Sequence, residues 1–123
     1  MTNSQSITVY GIPNCDTVKK ARTWLSTHDL AYEFHDFKKQ GLPTELLPGW
    51  MKAVGWEKLL NRQGTTWRKL DDDTKASAVD EKSAAAVMQE HASVIKRPVV
   101  QWADGRVTVG FKAEDWEQFA PKK

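Results

Sequence analysis

One cysteine, Cys15, is all that 123 residues supply, and this scarcity excludes two architectures at once. Without a second thiol there is no internal disulfide, so neither a disulfide-stapled secreted fold nor a cysteine-rich zinc site can form. A reducing, cytoplasmic setting is therefore expected. Charge of one sign is also missing. Eighteen Lys and Arg against sixteen Asp and Glu leave a net charge of +2, too little for the bulk basic field of a nonspecific nucleic-acid binder. No direct nucleic-acid partner is expected. No apolar run approaches the roughly 20 residues of a membrane-spanning helix, and the polar start from Met1 to Ser6 has no signal-peptide core. No membrane partner is expected either. The chain has no internal repeat and no linker long enough to separate two cores, so one domain over residues 1–123 is expected.

What is present orders itself along the chain. Ile7-Thr8-Val9-Tyr10 is β-branched and aromatic, Gly11 and Pro13 break it, and Asp16 to Leu25 reads as an amphipathic helix. Ala31 to Phe37 alternates apolar and polar residues, as a half-buried strand does. The opening is thus β-α-β, which normally pairs its strands in parallel. A helical insert at about residues 43–95 follows. Within it Pro48 predicts a helix restart or a kink, Asp71-Asp72-Asp73 predicts an N-terminal cap, and Ala76 to Val79 followed by Ser83 to Met88 predicts helix. Arg97-Pro98 stops that pattern. Val99 to Trp102, Ala103-Asp104-Gly105 and Arg106 to Val109 read as strand, tight turn and strand, and Lys112 to Phe119 as a short terminal helix with Trp116 and Phe119 toward the core. The expected architecture is α/β: a thioredoxin-like fold with a central mixed sheet.

Cys15 is the strongest candidate for chemistry because of where it falls. It sits in a Gly-Ile-Pro-Asn-Cys turn between strand and helix, where unpaired backbone N–H groups and the helix dipole favour an anion such as a thiolate. Lys19 adds to this one turn on, whereas Asp16 opposes it. A lone cysteine is more often a small buried hydrophobe, and position is what argues otherwise. His28, His35 and His91 are scattered without ligand spacing, so surface or capping roles are expected and no metal. Arg22 and Arg106 are expected at the surface. Trp24, Trp50, Trp56 and Trp116 lie in apolar helical patterns and are expected in the core, while Trp67, beside Arg68, is the tryptophan with a candidate binding role.

Three stretches carry a resemblance. Val9-Tyr10-Gly11-Ile12-Pro13-Asn14-Cys15-Asp16-Thr17-Val18-Lys19-Lys20-Ala21, then Leu59-Leu60-Asn61-Arg62-Gln63-Gly64-Thr65-Thr66-Trp67-Arg68-Lys69-Leu70, and finally Ile95-Lys96-Arg97-Pro98 with Val109-Gly110-Phe111, resemble the arsenate reductase-like (ArsC) family and its Spx/YffB-like branch. The resemblance implies that Cys15 is the nucleophile and that Arg97 holds an oxyanion. A second arginine from the insert is implied at Arg62 or the neighbouring Asn61, with Arg68 as the alternative. Asn14, beside the thiol, and Pro98 complete the candidate substrate-binding set. Arsenate-reducing members carry a third arginine after the hairpin turn, where this chain has Gly110, and Spx-type regulators often have Cys-x-x-Cys, where this chain has Cys15-Asp16-Thr17-Val18. An internal redox switch is excluded.

A thiolate beside guanidinium groups can attack an anionic electrophile or exchange with a disulfide, and a lone thiol needs an outside thiol for release. The resemblance therefore implies a thiol-dependent oxidoreductase of arsenate reductase type, with no tightly bound cofactor, glutathione as co-substrate, a small oxyanion as the other ligand and glutaredoxin as a possible partner. The competing expectation is an Spx-like regulator that binds RNA polymerase without catalysis.

Overall fold

The computed structural model describes residues 7–119 and divides into two compact units, Met1–Gly41 with Arg97–Lys123, and Leu42–Lys96. The first unit holds the sheet. Strand β1 (Ile7–Gly11) leads to helix α1 (Asp16–Thr27) and strand β2 (Tyr32–Asp36), and Asp36 then caps the short helix α2 (Phe37–Gln40) by accepting a hydrogen bond from the Lys38 N–H at 2.8 Å. After the second unit come β3 (Val99–Gln101), β4 (Val107–Val109) and the one-turn helix α8 (Ala113–Trp116), which tightens into a 3-10 turn over Glu117–Phe119. The strand order is β2-β1-β3-β4. β1 runs parallel to β2 and antiparallel to β3, which runs antiparallel to β4. The mixed sheet and β-α-β opening expected from the sequence are present.

Alternation sorts the side chains of the sheet. Ile7 and Val9 of β1 and Val100 of β3 pack against Ala21, Trp24 and Leu25 of α1, and Trp102 and Trp116 close the same cluster. Trp116, only 2% exposed, sits edge-on to Trp24, Trp102 and Phe111 with centroids 4.7–5.4 Å apart, an arrangement aromatic quadrupoles favour. The side chain of its expected companion Phe119 lies outside the described residues. The hairpin tip is held by Arg106, which pairs with Asp104 and donates to Gln118 Oε1.

The second unit is helical: α3 (Leu47–Val54), α4 (Trp56–Leu59), α5 (Thr65–Lys69), α6 (Asp72–Ser77) and α7 (Glu81–Glu90), with 3-10 turns at Thr44–Leu46 and Ala92–Val94. Pro48 falls in the first turn of α3, where its missing N–H costs nothing. The helix restarts there. Asp71 caps α6 by accepting from Thr74 N–H. The helical propensity of Ala76 to Met88 is interrupted over Ala78–Asp80, a correction to the sequence reading. Asp80 and Ser83 form a reciprocal capping box that starts a new helix at Glu81.

Candidate active site

The turn from β1 to α1 is built by close approach. A Cβ on Gly11 would meet Val18 Cγ2 at 2.9 Å, so the absence of a side chain at Gly11 lets the first turns of α1 settle on the end of the strand. Ile12 is buried while Pro13 and Asn14 are exposed, which lifts the chain to solvent just before the thiol. Cys15 is the N-cap residue of α1, with an extended backbone, and is half-buried. Its carbonyl accepts the first helical bond, from Lys19 N–H at 2.9 Å. Its side chain makes no capping hydrogen bond. The terminus carrying the thiol is thus left without a side-chain acceptor of its own.

Strand register brings Arg97 and Pro98 to this end of the sheet. Tyr10 pairs with Val99, and because β3 runs antiparallel, the residues before Val99 lie beside the C-terminal end of β1, where the Cys15 turn begins. The Arg97–Pro98 bond is cis, and the Pro98 carbonyl accepts from Gly110 N–H at 2.9 Å. Pro98 is buried and Arg97 half-buried, with its Nε shielded from solvent. Cys15, Asn14, Arg97 and Pro98 therefore belong to one unit and one end of one sheet. Gly110 has φ 77°, a conformation that disfavours any side chain. Backbone conformation thus favours glycine at the position where the resemblance implies an arginine in arsenate-reducing members.

Arg62 and Arg68 belong to the helical unit. Arg62 is exposed, with its guanidinium 5.5 Å from the Trp56 ring centroid and 6.0 Å from that of Trp67, so both half-buried tryptophans support a cation. Asn61 Oδ1 accepts from Gln63 N–H at 3.2 Å and shapes the turn into α5. Arg68 is exposed near the end of α5.

The histidines take local structural roles. His28 and His91 occupy the C-caps of α1 and α7, and His35 Nε2 lies 2.8 Å from the Gly41 carbonyl. Among the described residues no group of three or more His, Cys, Asp or Glu could hold a metal. Arg22, expected at the surface, is instead half-buried: its Nε donates to Tyr32 Oη at 3.0 Å and its guanidinium lies over Phe34. Gly11 is the residue that sequence reading undervalued. Its position next to Ile12-Pro13 signals a turn, but nothing in the sequence states which helix side chain it must clear.

An α/β unit of thioredoxin-like type with a cysteine capping the first helix is the class these features define. The chain belongs to the ArsC family, whose model matches residues 10–119. Among solved structures it is similar to a YffB protein, at 46% identity and TM-score 0.88 over 94% of this chain and 100% of the other. It is also similar to an arsenate reductase (ArsC) related protein from Brucella melitensis, at 50% identity and TM-score 0.72 over 97% and 98%. A global transcriptional regulator Spx from Streptococcus agalactiae serotype V is 30% identical over 121 residues, which is 94% of this chain and 84% of the regulator. Among the described residues no helix is long and apolar enough to cross a membrane.

Proposed function

We propose that this protein is a thiol-dependent oxidoreductase of arsenate reductase type, with Cys15 as nucleophile and glutathione as the external thiol. The observation that carries this reading is the half-exposed Cys15 at the N-terminus of α1, at the sheet end where Arg97 and Pro98 enter β3. Membership of the ArsC family and similarity to an arsenate reductase related protein support it.

In the oxyanion version, the Cys15 thiolate attacks the pentavalent centre and displaces an oxygen as water after protonation, forming a sulfur–arsenic bond. A glutathione thiolate then attacks the Cys15 sulfur, the bonding pair leaves on the arsenic as arsenite, and a Cys15–glutathione disulfide remains. A second glutathione thiolate, or a glutaredoxin, attacks the glutathione sulfur and returns the Cys15 thiolate. Two thiols are oxidised to one disulfide for each centre reduced. In the disulfide version Cys15 attacks a mixed disulfide directly and the same last step applies. Arg97 holds the negative charge, as a guanidinium holds carboxylate or oxyanion, and Asn14, Arg62 and Arg68 are the further candidates for substrate contact. Gly110 favours the disulfide version, since its φ of 77° disfavours an arginine at that position. The cycle requires a glutathione-rich, reducing compartment, and the cytoplasm is the proposed one.

The test is alkylation of Cys15 by iodoacetamide in the presence and absence of sulfate, arsenate or glutathione disulfide, with mass spectrometry of the product. Anion protection that disappears in Arg97→Ala, together with a glutathione adduct on Cys15, is the expected result. A thiol indifferent to all of them would sink the proposal. Similarity to an Spx regulator favours a second reading, docking on RNA polymerase. Cys15→Ser separates the two: it abolishes an enzyme's turnover and leaves a docking protein's binding intact.

A further inference from the structure

Beside the core of the sheet unit, α1 borders an open groove of about 400 Å³ whose lining does not include Cys15. Its floor is aromatic, formed by Trp24 and Phe111. Both rings rest edge-on against the buried Trp116, at 5.4 and 4.7 Å, so the floor is fixed by the core beneath it. His28 stacks on Trp24 with centroids 3.9 Å apart and planes 24° apart, and its Nδ1 lies 2.8 Å from the Trp24 carbonyl, which fixes one wall. Lys19 and Lys20 form the cationic part of the lining, to which no carboxylate contributes among the described residues. Both lysines are exposed and, among the described residues, neither makes an ion pair.

We infer that this groove binds a small flat anion, an aromatic ring system bearing one carboxylate or sulfonate. Ring stacking and edge contact supply the apolar part, and the groove's volume is that of an ordinary small-ligand site. Local charge supplies the selection, because the chain's net charge of +2 provides no strong general attraction for anions. The lysines are solvated, so their contribution falls as salt rises. The inference does not rest on the reductase reading, and Lys19 is the one lining residue it shares with the neighbourhood of Cys15.

The experiment is an NMR titration of the full-length, nitrogen-15-labelled protein with 2-naphthylacetate, using 2-naphthaleneethanol as the uncharged control. Saturable shifts confined to Lys19–His28 and the neighbourhood of Phe111 are expected, with a Kd of about 1 mM or tighter. The alcohol and the Lys19→Glu/Lys20→Glu double variant should each bind about fivefold to tenfold more weakly at low salt. Thr23 is exposed in the lining, so Thr23→Trp fills the groove from the solvent side and should abolish binding while leaving the rest of the spectrum in place. Shifts that do not saturate or that scatter over the protein, an alcohol that binds as well as the acid, or unchanged binding to Thr23→Trp would each overturn the inference.

Discussion

The two longest helices begin in opposite ways. At α7, Asp80 accepts from Ser83 N–H at 2.9 Å while Ser83 Oγ accepts from Asp80 N–H at 3.0 Å, so the terminus is closed by its own residues. At α1 the capping position holds Cys15, which makes no such bond. The first arrangement uses the orphan N–H groups for stability, and the second leaves them available to a charge that arrives from outside. The difference teaches that α1 is started by tertiary contacts, with Val18, Ala21 and Leu25 fully buried, whereas α7 carries a start signal in its own sequence. A helix held from its buried face can leave its first turn for chemistry.

Replacing the thiol breaks the comparison most severely. Cys15→Ser should reduce turnover of a glutathione mixed disulfide to background, read by coupled oxidation of glutathione. Because serine is a good N-cap, the same variant should gain stability relative to Cys15→Ala, by about 0.5–2 kcal/mol in urea denaturation. A hydroxyl that caps the terminus without recovering turnover is the signature of an N-terminus kept open for function; a serine variant no more stable than the alanine variant would contradict it.

Gly11→Ala attacks the same terminus through packing. The added methyl falls 2.9 Å from Val18 Cγ2, a β-branched side chain with little rotamer freedom. A loss of about 1–3 kcal/mol is expected, with a changed rate of Cys15 alkylation as α1 is displaced. Unaltered stability would mean that the strand end and α1 separate easily.

The smallest effects sharpen the α7 side. Asp80→Ala removes the capping box and should lower the midpoint of thermal unfolding, while Asp80→Asn, which still accepts a hydrogen bond, should recover most of the loss. Hydrogen bonds from the Ser83 N–H and hydroxyl hold the Asp80 carboxyl below the ordinary carboxylate range. A carboxyl with a lowered folded-state pKa stabilises the fold above its unfolded value and loses that contribution as pH falls through the folded value. The stability gap between the parent and Asp80→Ala should therefore be constant near neutrality and shrink in acid. A gap that persists in strong acid would show that the ionised carboxylate is not the capping group.

Much of this was legible along the chain because local patterns and tertiary outcome agree. Alternation in Ala31 to Phe37 became β2 at Tyr32–Asp36, and the β-branched runs on either side of Asp104-Gly105 became the β3–β4 hairpin, with strands shorter than their apolar stretch. The break at Ala78–Asp80 was missed because alanine-rich propensity is additive and weak, whereas a reciprocal cap is a specific pair of bonds. The place of Cys15 between β1 and α1 was legible from its turn. That Arg97 enters the sheet beside that turn depends on the pairing of Tyr10 with Val99, a contact across 89 positions that no local signal encodes. The stacking of His28 on Trp24 and the support of Arg62 by two tryptophans were equally invisible, since each depends on where side chains converge in space.

By itself, then, the sequence determined the single thiol and its place between strand and helix, the near-balance of charge, the caps of α6 and α7, and the β-α-β opening followed by a hairpin. These are local matters, decided within a few residues by backbone freedom, alternation and side-chain capping. The tertiary structure alone decided the strand order β2-β1-β3-β4, the contact that makes Gly11 necessary, the positive φ at Gly110 and the aromatic floor beside α1. Each of those needs groups far apart in the chain to meet, and only the burial of a common core brings them together.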